Sequence, residues 1–188
     1  MNIFSNPHIS PATKKDIPAI RNLLNSSYRG ESSRQGWTTE ANLIDGNIRT
    51  DDMNVKKTMQ QTGSVFLKYT NEMNEIIGCV NLQQHDHRIY LGMFSVSPIQ
   101  QGSGIGKQIL QASEEYAKHL KCTSIYMSVI SLRTELINWY QRHGYKDTGK
   151  RQPFIEDDIS GKHLQKLEFI LMEKIISGQV AIGPSVKK

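Results

Sequence analysis

The sequence predicts a single α/β (α+β) domain in which an antiparallel strand meander hands over to alternating helices and strands, with helices flanking one mixed, mainly antiparallel sheet. Three observations carry that expectation. Three strand-like runs follow one another between Ser64 and Val96 with links of only a few residues, which restricts neighbours to antiparallel pairing. From Val96 onward the apolar period switches between helix and strand, so the chain reads strand, helix, strand, helix. A length of 188 residues, with 37% hydrophobic and 22% charged residues, suits one folded domain rather than two cores or a disordered chain.

Taken in order, Ile9 belongs to a short leading strand, and Ile17, Ile20, Leu23, Leu24 and Tyr28 recur at helical spacing over residues 16–28. Asp16 is the expected N-cap, Pro18 is tolerated in the first turn, and Gly30 falls at or just past the end. Gly36-Trp37-Thr38-Thr39-Glu40 then reads as a turn entering a helix, capped by Thr38 or Thr39 and closed by Asp45-Gly46. Trp37 with Arg34, Glu40, Asp45 and Arg49 concentrates aromatic and charged groups there. Two readings stand: a solvated loop and helix with one packed Trp, or a lip that supplies an apolar wall and charges to a substrate.

The strands are placed at residues 64–69, 75–82 and 88–96, with turns at 71–74 and 85–87. A helix follows over residues 104–120, with Ile105, Ile109, Ala112, Tyr116, Ala117 and Leu120 on one face. Residues 124–129 form a short strand. Ser131 is the expected cap of a further helix bearing Leu132, Leu136, Ile137, Trp139 and Tyr140, and Gly144 its left-handed terminus. Pro153 and Gly161 bracket an irregular connection before a last strand marked by Leu167, Phe169 and Leu171. Residues 177–188 carry no helical or strand period and are set apart as a flexible tail beyond a domain of residues 1–176.

Several function classes drop out early. The net charge of +5 is scattered and aromatics are only 7%, which does not describe a nucleic-acid face; attraction of an anionic cofactor explains the sign. Cys79 and Cys122 lie in apolar runs without metal-ligand spacing and read as buried free thiols. No start-proximal apolar run resembles a signal peptide and none approaches about eighteen residues, so no membrane partner is expected and a cytoplasmic location is. His85-Asp86-His87 lacks a third ligand, and no metal is assigned; a solvated turn or proton handling on a substrate remain.

The chemistry concentrates at Gln101-Gly102-Ser103-Gly104-Ile105-Gly106, between the strand ending at Val96 and the helix beginning at Gly104. Its three glycines clear side chains from a strand-to-helix turn, so that consecutive backbone N–H groups can face one anion at a helix N-terminus. A nucleotide P-loop would need Gly at 101 and Ser or Thr at 108, and both are Gln. A dinucleotide fingerprint would need Gly at 107, which is Lys, and an acidic residue near Val129, where there is none.

What remains is a Gln/Arg-x-x-Gly-x-Gly pattern after Val96-Ser97-Pro98, and with it the chain resembles the GNAT superfamily of acetyl-coenzyme-A-dependent N-acetyltransferases over roughly residues 9–174. Trp139-Tyr140-Gln141-Arg142-His143-Gly144-Tyr145 is similar to that family's second motif, Tyr-x-x-x-Gly-Phe/Tyr. The resemblance implies that the strands around Phe94 and Ser128 run parallel and splay apart, and that acetyl-CoA lies in the split as co-substrate. Its pantetheine arm would bond the backbone at Phe94 and Val96 like an added strand, and its pyrophosphate would meet Gln101, Gly102, Ser103, Gly104, Ile105 and Gly106, with Lys107 adding charge.

The implied reaction is direct attack of a neutral amine on the thioester, with Tyr140 as general acid to the departing sulfur and a backbone N–H near Phe94 holding the oxyanion. The alternative for Tyr140 is a core aromatic beside Trp139. The strand before the glycine turn, Tyr90-Leu91-Gly92-Met93-Phe94-Ser95, lacks the carboxylate that many relatives use as base. Deprotonating a lysine-type amine at neutral pH costs about 4 kcal/mol, against about 1 kcal/mol for an α-amino group. The weak base therefore favours a small amine or amino-acid-like acceptor, with Glu40, Asp86 or His85 assisting through water. Arg34 or Arg49 would pair a carboxylate on it. The alternative is a catalytically weak acyl-CoA-binding sensor or interaction module of the same fold. The oligomeric state is open, a homodimer included.

Overall fold

The computed structural model describes residues 3–176; the tail set apart at 177–188 lies outside the described residues. The leading strand β1 (Ile9–Pro11) and helix α1 (Ile17–Tyr28) form as expected, followed by a one-turn helix α2 (Gly30–Ser33). Asp16 does not cap α1 through its side chain. Its carboxylate turns back to the Thr13 N–H at 2.7 Å and pairs with Lys68 at 2.9 Å, closing the short 3-10 turn ahead of the helix.

The helix expected over residues 38–45 is absent. The chain there makes one turn, with the Ile44 N–H on the Glu40 carbonyl at 3.0 Å, and then strand β2 (Ile44–Asp45). A helix does follow, α3 (Asp52–Met59), started by the Asp51 carboxylate accepting the Asn54 N–H at 2.7 Å. It buries one side chain, Val55, which is too little for an apolar stripe to announce it.

Strands β3 (Ser64–Thr70), β4 (Ile76–His85) and β5 (Arg88–Val96) are the antiparallel meander. Helix α4 (Ile105–His119), strand β6 (Ser124–Ile130) and helix α5 (Thr134–Arg142) complete the alternation. Ser131 does not cap α5: its N–H still bonds the Glu168 carbonyl at 2.9 Å, and Arg133 occupies the cap position. Gly144 does take the left-handed conformation past the helix, at φ 90°. The stretch between Pro153 and Gly161 is irregular as expected, but it is flanked by strand β7 (Lys146–Pro153), exposed throughout, and a short β8 (Lys162–His163) that pairs with β2. The last strand, β9 (Glu168–Ile175), is central enough to bury Ile170 and Met172 on the face opposite Phe169 and Leu171.

One seven-stranded sheet results, in the order β1-β3-β4-β5-β6-β9-β7. Neighbouring residues in its middle strands go to opposite faces. Phe66 and Cys79 pack under α1 with Ile20 and Leu24, whereas Leu67 and Val80 pack under α4 with Ile109 and Ile125. Cys79 and Cys122 are both free and buried.

The sheet opens between two of its strands. β5 and β6 are parallel, but they pair only at Arg88–Ser124, Ile89–Ile125 and Tyr90–Tyr126. Beyond that point β5 bulges against β4: the register jumps from Asn81–Gly92 to Cys79–Ser95, which sets Met93 and Phe94 opposite Val80. Met93 takes φ 45°, a conformation rare for a side-chain-bearing residue, and the strand bends away from β6. β6 keeps a full antiparallel ladder with β9. Strands that part in this way leave a wedge between their C-terminal ends.

Candidate functional site

Two cavities meet in the wedge. The larger, about 650 Å³, runs from the glycine turn along the end of β5 to the face of α5. The smaller, about 240 Å³, lies on the α1 side. Tyr28, Phe94, Leu136 and Tyr140 line both. A molecule in one cavity and a molecule in the other would therefore touch across these side chains.

The larger cavity begins at the turn. Gly102 and Gly104 both sit at φ 87° with nothing within 4 Å of a would-be Cβ, so the conformation, not crowding, calls for glycine. The first helical bond of α4 runs from the Gln108 N–H to the Gly104 carbonyl at 3.1 Å, which leaves the N–H groups of Ile105, Gly106 and Lys107 ahead of the intrahelical ladder. Gly106 and Lys107 line the cavity with Gly102 and Gly104, whereas Ile105 is buried in the core and Ser103 turns its hydroxyl to the Gln100 carbonyl at 2.6 Å.

Gln101 lines the same cavity, but its carboxamide points to the opposite rim. Its Oε1 accepts the N–H of Trp37 at 2.8 Å and of Thr38 at 3.3 Å, and its Nε2 donates to Thr38 Oγ1 at 2.7 Å and to the Val96 carbonyl at 3.0 Å. Ser27 Oγ also donates to that carbonyl, at 3.1 Å. Both lone pairs of the Val96 oxygen are thus in use. Trp37 and Trp139 face each other across the mouth with ring centroids 6.2 Å apart.

At the junction Tyr28 donates its hydroxyl hydrogen to the Phe94 carbonyl exposed by the bulge. Tyr140 lies among Phe94, Trp139 and Tyr145 with ring centroids 6.4, 5.1 and 5.7 Å away. Burial holds the Tyr140 hydroxyl well above the ordinary tyrosine range, reinforced by neighbouring Tyr28 and opposed by the guanidinium of Arg133. The group stays protonated and can donate.

The smaller cavity is walled by charge. Glu40 is buried and accepts from Arg29 with one oxygen and from Arg133 with the other, the latter at 3.0 Å. Burial alone would raise its pKa, but the guanidiniums of Arg133, Arg49 and Arg29 outweigh it and hold the carboxyl below the usual range. A carboxylate so held is a poor proton acceptor. Arg133 also bonds the Thr38 carbonyl, and the Arg29 Nε bonds the Ser160 carbonyl at 3.1 Å, which ties the Trp37 segment to α5 and to the loop before β8.

Of the residues singled out in the sequence, the structure gathers Phe94, Val96, Gln101, Gly102, Gly104, Gly106, Lys107, Trp37 and Tyr140 around one cavity and Glu40 on the wall of its neighbour. It does not bring Arg34 there: the side chain is turned to Glu31 at 3.2 Å and to Asn42 at 2.8 Å. Asp86 is exposed in the β4–β5 turn, at the opposite end of β5 from Phe94, on the order of 25 Å away at about 3.3 Å per residue. His85 is at that same end, with its ring nitrogen 2.6 Å from the Tyr126 hydroxyl. Neither is placed to move a proton in the wedge. Tyr28, Arg29 and Arg133 were not singled out. Tyr28 reads as a core-face helix residue, and two arginines 104 positions apart in the chain carry no local pattern that predicts a shared carboxylate.

Among the described residues no three His, Cys, Asp or Glu side chains gather to hold a metal ion, and no helix is long and apolar enough to cross a membrane. Comparison with known proteins gives a consistent picture. The Acetyltransferase (GNAT) family model matches residues 17–145. The spermine/spermidine N(1)-acetyltransferase of Bacillus subtilis is 34% identical over 64 residues, 34% of this chain and 42% of the relative. An uncharacterized Bacillus subtilis protein, YdhI, is 35% identical over 78 residues, 40% of this chain and 46% of the relative. The matched stretch is thus less than half the length of these curated relatives. In fold, the chain is similar to the ribosomal-protein-alanine N-acetyltransferase from Brucella melitensis, with a TM-score of 0.67 and 19% identity over 89% of this chain and 98% of the other. It is likewise similar to an acetyltransferase of the GNAT family from Staphylococcus aureus, with a TM-score of 0.65 and 17% identity over 90% and 98%.

Proposed function

The chain belongs to the GNAT acetyltransferase family, and from that premise we propose that it transfers the acetyl group of acetyl-CoA directly to the amine of a small-molecule or amino-acid-like acceptor. The observation that carries the reading is the shared lining of the two cavities by Tyr28, Phe94 and Tyr140. A long donor in the larger cavity and a short acceptor in the smaller one would meet at Tyr140.

The donor's chemistry suits the residues present. The free N–H groups at the start of α4 and the Lys107 ammonium favour a pyrophosphate, each such helix-end contact being worth about 0.3 to 1 kcal/mol. Phe94 and Trp139 provide an apolar wall for the arm. Ser95, on the same wall, has a buried hydroxyl without a hydrogen-bond partner among the described residues, a group that a polar ligand atom would satisfy.

In the proposed reaction the acceptor nitrogen attacks the thioester carbonyl, the C–N bond forms, and the tetrahedral intermediate collapses with cleavage of the C–S bond. Tyr140 gives its hydroxyl proton, or a hydrogen bond, to the departing sulfur, a contribution of about 10² to 10⁴ in rate. The amine's own proton passes to water, because Glu40 is ion-paired and Asp86 and His85 are remote. This favours acceptors whose amines are less basic than a lysine side chain.

Thiol release from acetyl-CoA over an amine panel tests the reading, alongside calorimetry of acetyl-CoA binding. Amine-dependent thiol supports the transferase. Binding without amine-dependent thiol would instead identify an acyl-CoA sensor of the same fold.

A further inference from the structure

Resting on the reading of the smaller cavity as the acceptor site, we propose that its acceptor carries a carboxylate beside the amine and that Arg49 is the specificity-determining residue that receives it. The inference starts from the charges facing the cavity, which are Arg29, Arg49 and Arg133 against Glu40 and Asp157. Two of the three guanidiniums are committed. Arg29 and Arg133 divide the two oxygens of Glu40 between them and give further donors to the backbone at Ser160 and Thr38. Asp157 is committed as well, its Oδ1 accepting the N–H groups of Ile159 at 2.9 Å and Ser160 at 2.6 Å.

Arg49 is left. Its guanidinium carbon lies over the Tyr28 ring, 4.2 Å from the centroid, and it forms no ion pair among the described residues. The backbone on either side is fixed, since the Asn25 carboxamide oxygen accepts the Arg49 N–H at 2.8 Å and the Thr50 N–H at 3.0 Å. A cation is therefore held on one face by an aromatic ring, with its N–H fork unspent, in a half-buried wall where water screens it weakly. Guanidinium is the side chain best matched to a carboxylate, which it binds through two parallel hydrogen bonds.

The position is as telling as the charge. Tyr28 carries Arg49 on its ring and the Phe94 carbonyl on its hydroxyl, so the fork stands one tyrosine ring from the junction where the acceptor amine must arrive. An amine and a carboxylate separated by one or two carbons span that gap. The same field disfavours a polyamine, whose second ammonium would enter a wall with one more guanidinium than carboxylates.

The test compares kcat/KM, each divided by the fraction of neutral amine at the assay pH, for α-amino acids, their carboxamides and spermidine in the wild type, Arg49→Gln and Arg49→Lys, each variant first checked for an unchanged unfolding temperature. The expected wild-type preference for acid over amide is tenfold or more. In Arg49→Gln that ratio collapses toward one through KM of the acid, and Arg49→Lys keeps part of it. Equal rates on acid and amide, a preference for spermidine, or an unchanged ratio in Arg49→Gln would each overturn the Arg49 assignment while leaving the transferase intact. Thiol release with no amine at all would overturn both.

Discussion

The carboxamide of Gln101 holds the backbone of Trp37: its Oε1 accepts the Trp37 N–H at 2.8 Å, across the mouth of the larger cavity from the glycine turn. Gly36 makes the approach possible, since a Cβ there would lie 2.5 Å from that oxygen. The residue that opens the glycine motif thus also pins the opposite rim of the same cavity. Replacing Gln101 with Ala removes the bonds to Trp37, Thr38 and Val96 together. The expected result is faster amide hydrogen exchange at Trp37 and Thr38, with about 1 to 3 kcal/mol lost from the local closed state. Unchanged protection at both amides would show that the rim is held by other contacts.

Gly104→Ala separates conformation from crowding. Because no atom lies near the added methyl, the cost is the left-handed backbone alone, about 1 to 2 kcal/mol. Weaker acetyl-CoA binding by calorimetry, with the fold retained by circular dichroism, is the expected outcome.

Acid should weaken the fold through Glu40. Its folded pKa is depressed, so its stabilising contribution is present above the unfolded value near 4.5 and is lost as pH falls through the folded value. Glu40→Gln should cost about 3 kcal/mol or more at pH 7, where two guanidiniums lose their partner, and should flatten the pH dependence below 4.5. Urea melts at pH 7 and at pH 3 to 4 check both statements.

At the alkaline end the sign reverses. Burial pushes the Cys79 thiol up to about 12 from an ordinary value of 9.0, so its contribution is present below pH 9.0 and is lost as pH rises toward 12. Tyr28 and Tyr140, also raised by burial, add to that loss above pH 10.0. Native protein at pH 8 should accordingly leave Cys79 and Cys122 unlabelled by a thiol reagent on the timescale in which denatured protein reacts fully.

Much of this was legible in the chain. Alternation located the meander, because β3 to β5 have one apolar set for each sheet face, and the two motifs around Gly102 and Tyr140 are local patterns of a few residues each. What escaped depends on distant partners. β7 is exposed along its whole length and exists only because β9 offers it an edge. The helix expected after Thr38 is overridden by Arg133, which takes the Thr38 carbonyl, and by pairing of Ile44 with His163. The wall of the smaller cavity is the extreme case: Arg29, Glu40, Arg49, Arg133 and Asp157 come from distant loops and helix ends, and their pairing decides which guanidinium is left uncommitted.

Tyr140→Phe is the most direct test of the account, read by calorimetry with acetyl-CoA and by amine-dependent thiol release on the same preparation. The account predicts acetyl-CoA affinity within a few-fold of wild type and kcat lower by about 10² to 10⁴. Wild-type turnover in the variant would contradict it, and so would a loss of activity that follows the loss of acetyl-CoA binding.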